Sequence, residues 1–223
     1  MIKLRRSKER GHVEHGWLES YHTFSFGDYH DPQWMAFRSL RVINEDFIAA
    51  GQGFGEHPHR DMEIITYVVE GVLKHHDSMG HEGLIEAGEV QKMTAGSGIT
   101  HSEYNASAKD PVHLLQIWIV PNAKNLPPVY QQHELPAGQE DCLLPLPIDI
   151  HQDAKVFRGR FGVGRNLDYA IASGRGIWLQ MIQGQITLDN QTLNAGDGAA
   201  VENQGSIRIQ ANHQSEFLFF DLK

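Results

Sequence analysis

Ile64-Ile65-Thr66-Tyr67-Val68-Val69-Glu70-Gly71-Val72-Leu73-Lys74-His75-His76 is the stretch that decides the fold. Two runs rich in β-branched and apolar residues, Ile64–Val69 and Val72–His76, meet at Glu70-Gly71, which reads as strand, turn, strand. After a short turn comes Ile85-Glu86-Ala87-Gly88-Glu89, and the pattern then returns far downstream. Met181-Ile182-Gln183-Gly184 repeats the first element, and Leu193-Asn194-Ala195-Gly196-Asp197 repeats the second. The offset is 113 residues between Gly71 and Gly184 and 108 between Gly88 and Gly196, so a loop is shorter in the second copy. Two matches in the same order point to a duplicated barrel.

Other readable segments carry the same signature: Phe37–Ile43, Gly88–Met93, Val112–Val120, Trp178–Ile182, Gln185–Leu188, Ser206–Gln210 and Phe217–Leu222. They are short, β-branched or aromatic, and bounded by Gly, Pro, Asn or Asp, as in an antiparallel all-β barrel or sandwich. Short helices are expected near Asp31–Phe37 and in the middle of the chain. Six of the nine prolines fall between 121 and 147. Proline lacks the N–H that a central strand donates, so this stretch reads as a connection. The expected division is an N-terminal barrel over 1–125, a Pro-rich linker over 126–144, and a C-terminal barrel over 145–223.

Composition sets the outer limits. With 19 Lys+Arg against 28 Asp+Glu, the net charge of −9 over 223 residues disfavours a non-specific nucleic-acid binder and an anionic membrane surface. A single cysteine, Cys142, excludes an intramolecular disulfide framework and any four-cysteine zinc site. It lies in the linker without a basic neighbour in sequence, so a catalytic thiol is not expected. MIKLRRSKERGH has no apolar run after its basic residues and is not a secretory signal, and no run reaches the length of a membrane span. A cytoplasmic protein is the expectation, and two fused barrels favour a monomer. The number that stands out is 14 histidines.

Two of them, His57 and His59, sit at i and i+2 around Pro58, so on a strand both imidazoles face one side. After the Gly-rich turn Gly96-Ser97-Gly98, His101 and Glu103 show the same spacing. If those strands meet inside a barrel, three imidazoles and one carboxylate converge. That donor set suits a divalent transition metal with positions left open, and it lacks the thiolate of Fe–S or blue-copper centres. The competing reading makes His57 and His59 turn residues on the surface and His101 a loop cap.

The order Gly51-x5-His57-x-His59-x3-Glu63 followed by Gly71 resembles the first cupin motif, and Gly88-x5-Thr94-x-Gly96 followed by His101-x3-Asn105 resembles the second. Longer strings narrow the resemblance to the pirin family. They are Gly16-Trp17-Leu18, His22-Thr23-Phe24-Ser25-Phe26, Leu40-Arg41-Val42-Ile43-Asn44, His57-Pro58-His59-Arg60-Asp61-Met62-Glu63, and Met93 through Tyr104. Together they span about 16–121, and the second half is similar in strand pattern only. The resemblance implies tandem jelly-roll barrels and assigns His57, His59, His101 and Glu103 as ligands of one divalent metal. Fe(II) is favoured, with Ni, Co, Mn, Cu or Zn as alternatives. It also implies displacement of the first-motif glutamate, Glu63, from the metal. Glu63 shares the parity of His59, so an acceptor for an imidazole N–H and a purely structural residue are both open readings.

The same resemblance implies two functions. One is a quercetin 2,3-dioxygenase that opens the central ring of a flavonol with O₂ and releases CO, with Glu103 as general base. The other is an iron-dependent, redox-sensing partner of other proteins that turns nothing over, and an oxygenase of a different metabolite is a third. Shifting the four ligand positions by the repeat offsets lands on Ala170, Ala172, Ile209 and Ala211, so the C-terminal barrel is expected to be metal-free. His75-His76-Asp77 reads as a hairpin end, with no ligand role.

Overall fold

The computed structural model describes residues 1–136 and 141–223. It is β throughout: among these residues the one helical element is a 3₁₀ turn at Ser7–Glu9. The expected helix at Asp31–Phe37 is instead a set of turns. Asp31 Oδ1 accepts from the Gln33 amide, the Trp34 amide donates to the Asp31 carbonyl, and Ser25 Oγ accepts from the Asp31 amide. The Asp side chain, followed by Pro32, offers the backbone a local partner that competes with a helix. No helix among the described residues is long and apolar enough to cross a membrane.

The chain forms two compact units. The first strand, β1 (Ile2–Arg5), belongs to the second of them. The N-terminal unit, Gly11–Leu135 with Pro147–Gln152, holds β2 (Gly11–Glu14), β3 (Leu18–His22), β4 (Leu40–Ile48), β5 (Gly53–His59), β6 (Glu63–Glu70) and β7 (Val72–Asp77). It continues with β8 (Glu82–Glu86), β9 (Glu89–Thr94), β10 (Ile99–Asn105), β11 (Val112–Ile119) and β12 (Val129–Glu134). These make a seven-stranded sheet in the order β12-β9-β6-β11-β4-β3-β2 and a four-stranded sheet β5-β10-β7-β8.

The C-terminal unit comprises Met1–Arg10, Pro136–Leu146 and Asp153–Lys223. Besides β1 it contains β13 (Cys142–Pro145), β14 (Ala154–Phe161), β15 (Asn166–Ala170), β16 (Gly176–Gln183) and β17 (Gln185–Leu188). The remaining strands are β18 (Gln191–Asn194), β19 (Gly198–Val201), β20 (Ser206–Ala211) and β21 (Ser215–Leu222). Its sheets run β1-β19-β16-β21-β14-β13 and β15-β20-β17-β18.

The repeat read from the sequence is present in the topology. The order β9-β6-β11-β4 recurs as β19-β16-β21-β14, and β5-β10-β7-β8 recurs as β15-β20-β17-β18. Gly71 and Gly184 close equivalent turns at φ +84° and +79°. A Cβ would lie 2.9 Å from the Pro111 carbonyl oxygen at the first and 2.2 Å from that of Gln214 at the second. Glycine is therefore required at both for conformation and for space.

The boundaries differ from the expected ones at two places. Residues 1–10 lie in the C-terminal unit, where β1 pairs antiparallel with β19 from Ile2↔Val201 to Arg5↔Gly198. The stretch expected as linker contains β12, which pairs with β9 as the edge of the large sheet. Pro127, Pro128 and Pro136 flank that strand without interrupting it, as an edge tolerates. Residues 137–140 of the expected linker lie outside the described residues.

The interiors of the two barrels differ in chemistry. That of the C-terminal unit is one apolar cluster that includes Ile207, Ile209, Ala211, Phe217 and Phe219. That of the N-terminal unit is split into one cluster around Ile48, Val68, Leu73 and Leu114 and another around Ile64, Met93, Ala95 and Ile99. Between them runs a polar rung across five strands. Gln91 pairs with Thr66, Thr66 with Gln116, Gln116 with Asn44, and Asn44 with His22. A side chain at each of these positions faces its neighbour on one side of the sheet, so the rung is a continuous polar belt inside the barrel.

Candidate metal centre

The centre is built where β5 and β10 run antiparallel. Their register places His57 opposite His101 and His59 opposite Ile99. The three imidazoles form a triangle, with ring centroids 4.5 Å apart for His57–His101, 4.8 Å for His57–His59 and 4.9 Å for His59–His101. One nitrogen of each lies within 4.8 Å of one nitrogen of the others. The sequence-predicted convergence of these three residues is thus present.

A register shift between His101 and Glu103 makes Glu103 face Phe54 on β5. The bulge frees the Gly55 carbonyl, which lies 2.8 Å from His57 Nδ1. A carbonyl only accepts, so Nδ1 carries the proton and Nε2 keeps its lone pair for a ligand bond. Gly53 makes the close approach at this bulge: a Cβ there would lie 2.1 Å from the Glu103 carbonyl oxygen.

His101 is 1% exposed, and neither of its ring nitrogens has a hydrogen-bond partner among the described residues. A buried imidazole left unpaired costs about 1–3 kcal/mol, which a metal bond would recover. Burial and the neighbouring imidazoles hold His59 and His101 down at about 3, burial being the larger cause. Both rings are therefore neutral at physiological pH, the form that ligates. On these observations the residues fit a divalent metal.

Glu103 faces into the same space from the polar rung. Gln116 Nε2 donates to its Oε2 at 2.9 Å, and Thr66 Oγ1 lies 3.3 Å from its Oε1. Thr66 also donates to Gln116 Oε1 at 3.0 Å, which turns the Gln116 amide so that its NH₂ faces the carboxylate. Burial pushes the Glu103 carboxyl up from its ordinary value. A bound dication acts in the opposite sense and holds it ionised.

His75, to which the sequence reading gave no role, lies against the centre. It pairs with Glu103 in the β7–β10 register, is fully buried, and its ring centroid is 5.4 Å from that of His101. His75, His101 and Glu103 form a second group at metal-ligand separation. Both His75 nitrogens are engaged, however: Nε2 with Asp77 Oδ2 at 3.3 Å and Nδ1 with Gln91 Nε2 at 3.2 Å. An amide NH₂ only donates, so Nδ1 uses its lone pair on Gln91 and His75 packs behind the candidate ligands. The signal that reveals it is parity, since Leu73, His75 and Asp77 are the buried alternate positions of β7.

Of the two open readings of Glu63, its surroundings favour the structural one. It is fully buried on β6, 2.6 Å from Lys92 Nζ through Oε2, which also accepts from Thr94 Oγ1 at 3.2 Å. His151 Nδ1 lies 3.4 Å from Oε1. None of the four candidate ligands is among these partners. Strand alternation explains the difference: Thr66 faces the barrel interior, and Glu63, at odd spacing from it, faces the other side of the sheet.

His57, His59 and Glu103 line a cavity of about 300 Å³ together with Phe26, Phe54 and Trp118. Leu18, Ser20, His22, Asn44, Asp46 and Gln116 complete it. Asp46 is buried, and its carboxyl is pushed up to about 7 by burial, with Glu103 and Glu45 raising it further and His113 and the Ser20 hydrogen bond opposing. A carboxyl raised in the folded state loses stability for the fold as pH climbs from its unfolded value, 3.8, toward 7. Asp46→Asn removes that loss. The stability of the variant relative to the parent should therefore rise between pH 4 and pH 8, measured as the difference in Tm across that range. A difference that is flat or falls with pH contradicts the assignment.

Comparison with known proteins also divides the chain into two parts, with residues 3–10 in the first. A family profile described as Pirin matches residues 3–119, and one described as Quercetinase C-terminal cupin domain matches 145–222. The chain is 46% identical over 228 residues to a protein of Escherichia coli K12 named quercetin 2,3-dioxygenase, covering 100% of this chain and 99% of the relative. It is 41% identical to a Pasteurella multocida protein named putative quercetin 2,3-dioxygenase, with full coverage of both. Among solved structures it is similar to that of YhhW from E. coli, at a TM-score of 0.98 and 44% identity, covering 100% of this chain and 98% of that one. A structure titled as bacterial pirin YhhW in complex with nickel(II) superposes at 0.96, with 43% identity and coverage of 100% and 99%.

Proposed function

We propose, from the premise that this chain belongs to the pirin family and is built of two cupin domains, that it is a metal-dependent flavonol dioxygenase. In this reading it opens the central ring of quercetin or a similar flavonol with O₂ and releases CO. The observation that carries the proposal is His101, a buried imidazole with both nitrogens unpaired, set in a triangle of histidines at the wall of an aromatic-lined cavity. The names of the relatives support the substrate class.

His57, His59, His101 and Glu103 would hold one divalent metal, Fe(II) by preference; the E. coli pirin YhhW has been solved in complex with nickel(II). When bound, such an ion supplies Lewis acidity toward the substrate hydroxyl and O₂. The residues of the chain do the rest. Glu103, kept basic by burial and aimed by Gln116, accepts the proton of the flavonol 3-hydroxyl at a carboxylate oxygen. Phe26, Phe54 and Trp118 pack against the flat rings and exclude water from the deprotonated substrate. The net charge of −9 is consistent with an enzyme of small molecules rather than of nucleic acid.

The test is anaerobic reconstitution with Fe(II), Ni(II), Co(II), Mn(II), Cu(II) or Zn(II), followed by measurement of quercetin loss and CO in air. Stoichiometric CO with at least one metal is the expected result. Tight iron binding with no turnover by any metal replaces this reading with that of an iron-dependent redox sensor acting on protein partners.

A further inference from the structure

The wall of the cavity carries a carboxyl that the reaction as described does not use. Asp46 is 4% exposed, and among the described residues no Lys, Arg or His forms an ion pair with it. Its Oδ1 accepts a hydrogen bond from Ser20 Oγ at 2.5 Å, and Ser20 is itself 2% exposed. The rung it occupies is otherwise apolar toward the far side of the sheet, since Asp46 pairs with Leu114 and Leu114 with Val68. A leucine there would extend the cluster of Leu18, Ile48 and Leu114. Burying a carboxyl in such a place without a cation is costly, and groups so placed in a cavity are candidates for ligand recognition.

Its neighbours share the property. Asn44 stands two residues earlier on the same face of β4, and its Oδ1 is buried without a partner among the described residues. Trp118 Nε1, on the cavity wall, is also buried and has no partner among the described residues. Three polar groups on one cavity wall thus have unused hydrogen-bonding capacity.

We propose that Asp46, oriented by Ser20 and flanked by Asn44, is a second polar subsite that binds the hydroxyls of a polyhydroxylated aromatic substrate distant from the one that reacts. The subsite selects among phenolic substrates, and Ser20 is a positioning residue within it. This rests on the flavonol reading above, so the probes are chosen to separate the two. Quercetin carries hydroxyls on both outer rings, whereas 3-hydroxyflavone retains only the reacting hydroxyl.

Both are titrated anaerobically into the nickel(II)-loaded protein and its Asp46→Leu, Asp46→Asn and Ser20→Ala variants, with metal content measured for each. Asp46→Leu should weaken quercetin binding by about 10- to 100-fold and leave 3-hydroxyflavone affinity and metal content unchanged. Asp46→Asn, which keeps one acceptor and one donor, should fall between, and it carries the test with Ser20→Ala should the leucine variant not fold. Equal effects on both probes, or none on either, overturn the subsite while the flavonol reading stands. Failure of the parent to bind either probe overturns both.

Discussion

Exchange of Glu103 for Gln should lower flavonol turnover by ~100- to 10,000-fold, the range associated with losing a positioned general base. The change is nearly isosteric, and the Gln carbonyl oxygen can still accept from Gln116 Nε2, so the rung that aims the side chain survives. What disappears is the negative charge and the lone pair that takes the proton. Metal should be retained in part, because three neutral imidazoles remain. The measurement is single-turnover quercetin loss alongside metal content by elemental analysis. A parental rate in a variant of normal metal content removes Glu103 as the base and leaves it as a ligand alone.

The largest loss of stability should come from Lys92→Met. Lys92 and Glu63 are both buried at 2.6 Å, and Lys92 Nζ also donates to Thr94 Oγ1. Methionine fills much the same volume but leaves the Glu63 carboxylate without its cation, at a cost of about 3–5 kcal/mol. Adding Glu63→Leu should restore most of that, since an apolar pair of similar size avoids desolvating two charges. Urea titration of the parent, the single and the double variant reads the cycle. If the single variant is as stable as the parent, or the double variant is no better than the single, the pair is not what holds this face together.

The duplication and the convergence of His57, His59 and His101 were legible in sequence because both depend on local rules. Gly71 and Gly184 mark turns that only glycine makes, and the i, i+2 spacing of His57/His59 and His101/Glu103 fixes a shared face once the residues lie on strands. What was not legible is set by pairing between distant strands. Glu63 has the right parity relative to His59 in sequence, but a loop separates β5 from β6, and parity does not carry across it. The rung of Gln91, Thr66, Gln116, Asn44 and His22 draws one residue from each of five strands, so no local window contains it. Asp31–Phe37 failed as a helix because one aspartate side chain supplied a nearer hydrogen bond.

The pairing of β1 with β19 bears on how the protein can be taken apart. A fragment beginning at residue 145 carries β19 but not the strand that satisfies one of its edges, and an unpaired edge is a template for association. The two halves of the gene therefore do not correspond to two separable products. A ribosome releases β1 about two hundred residues ahead of its partner, so the second barrel can close only after β19 has been made. Any peptide fused directly ahead of Ile2 is attached to the barrel that is translated second.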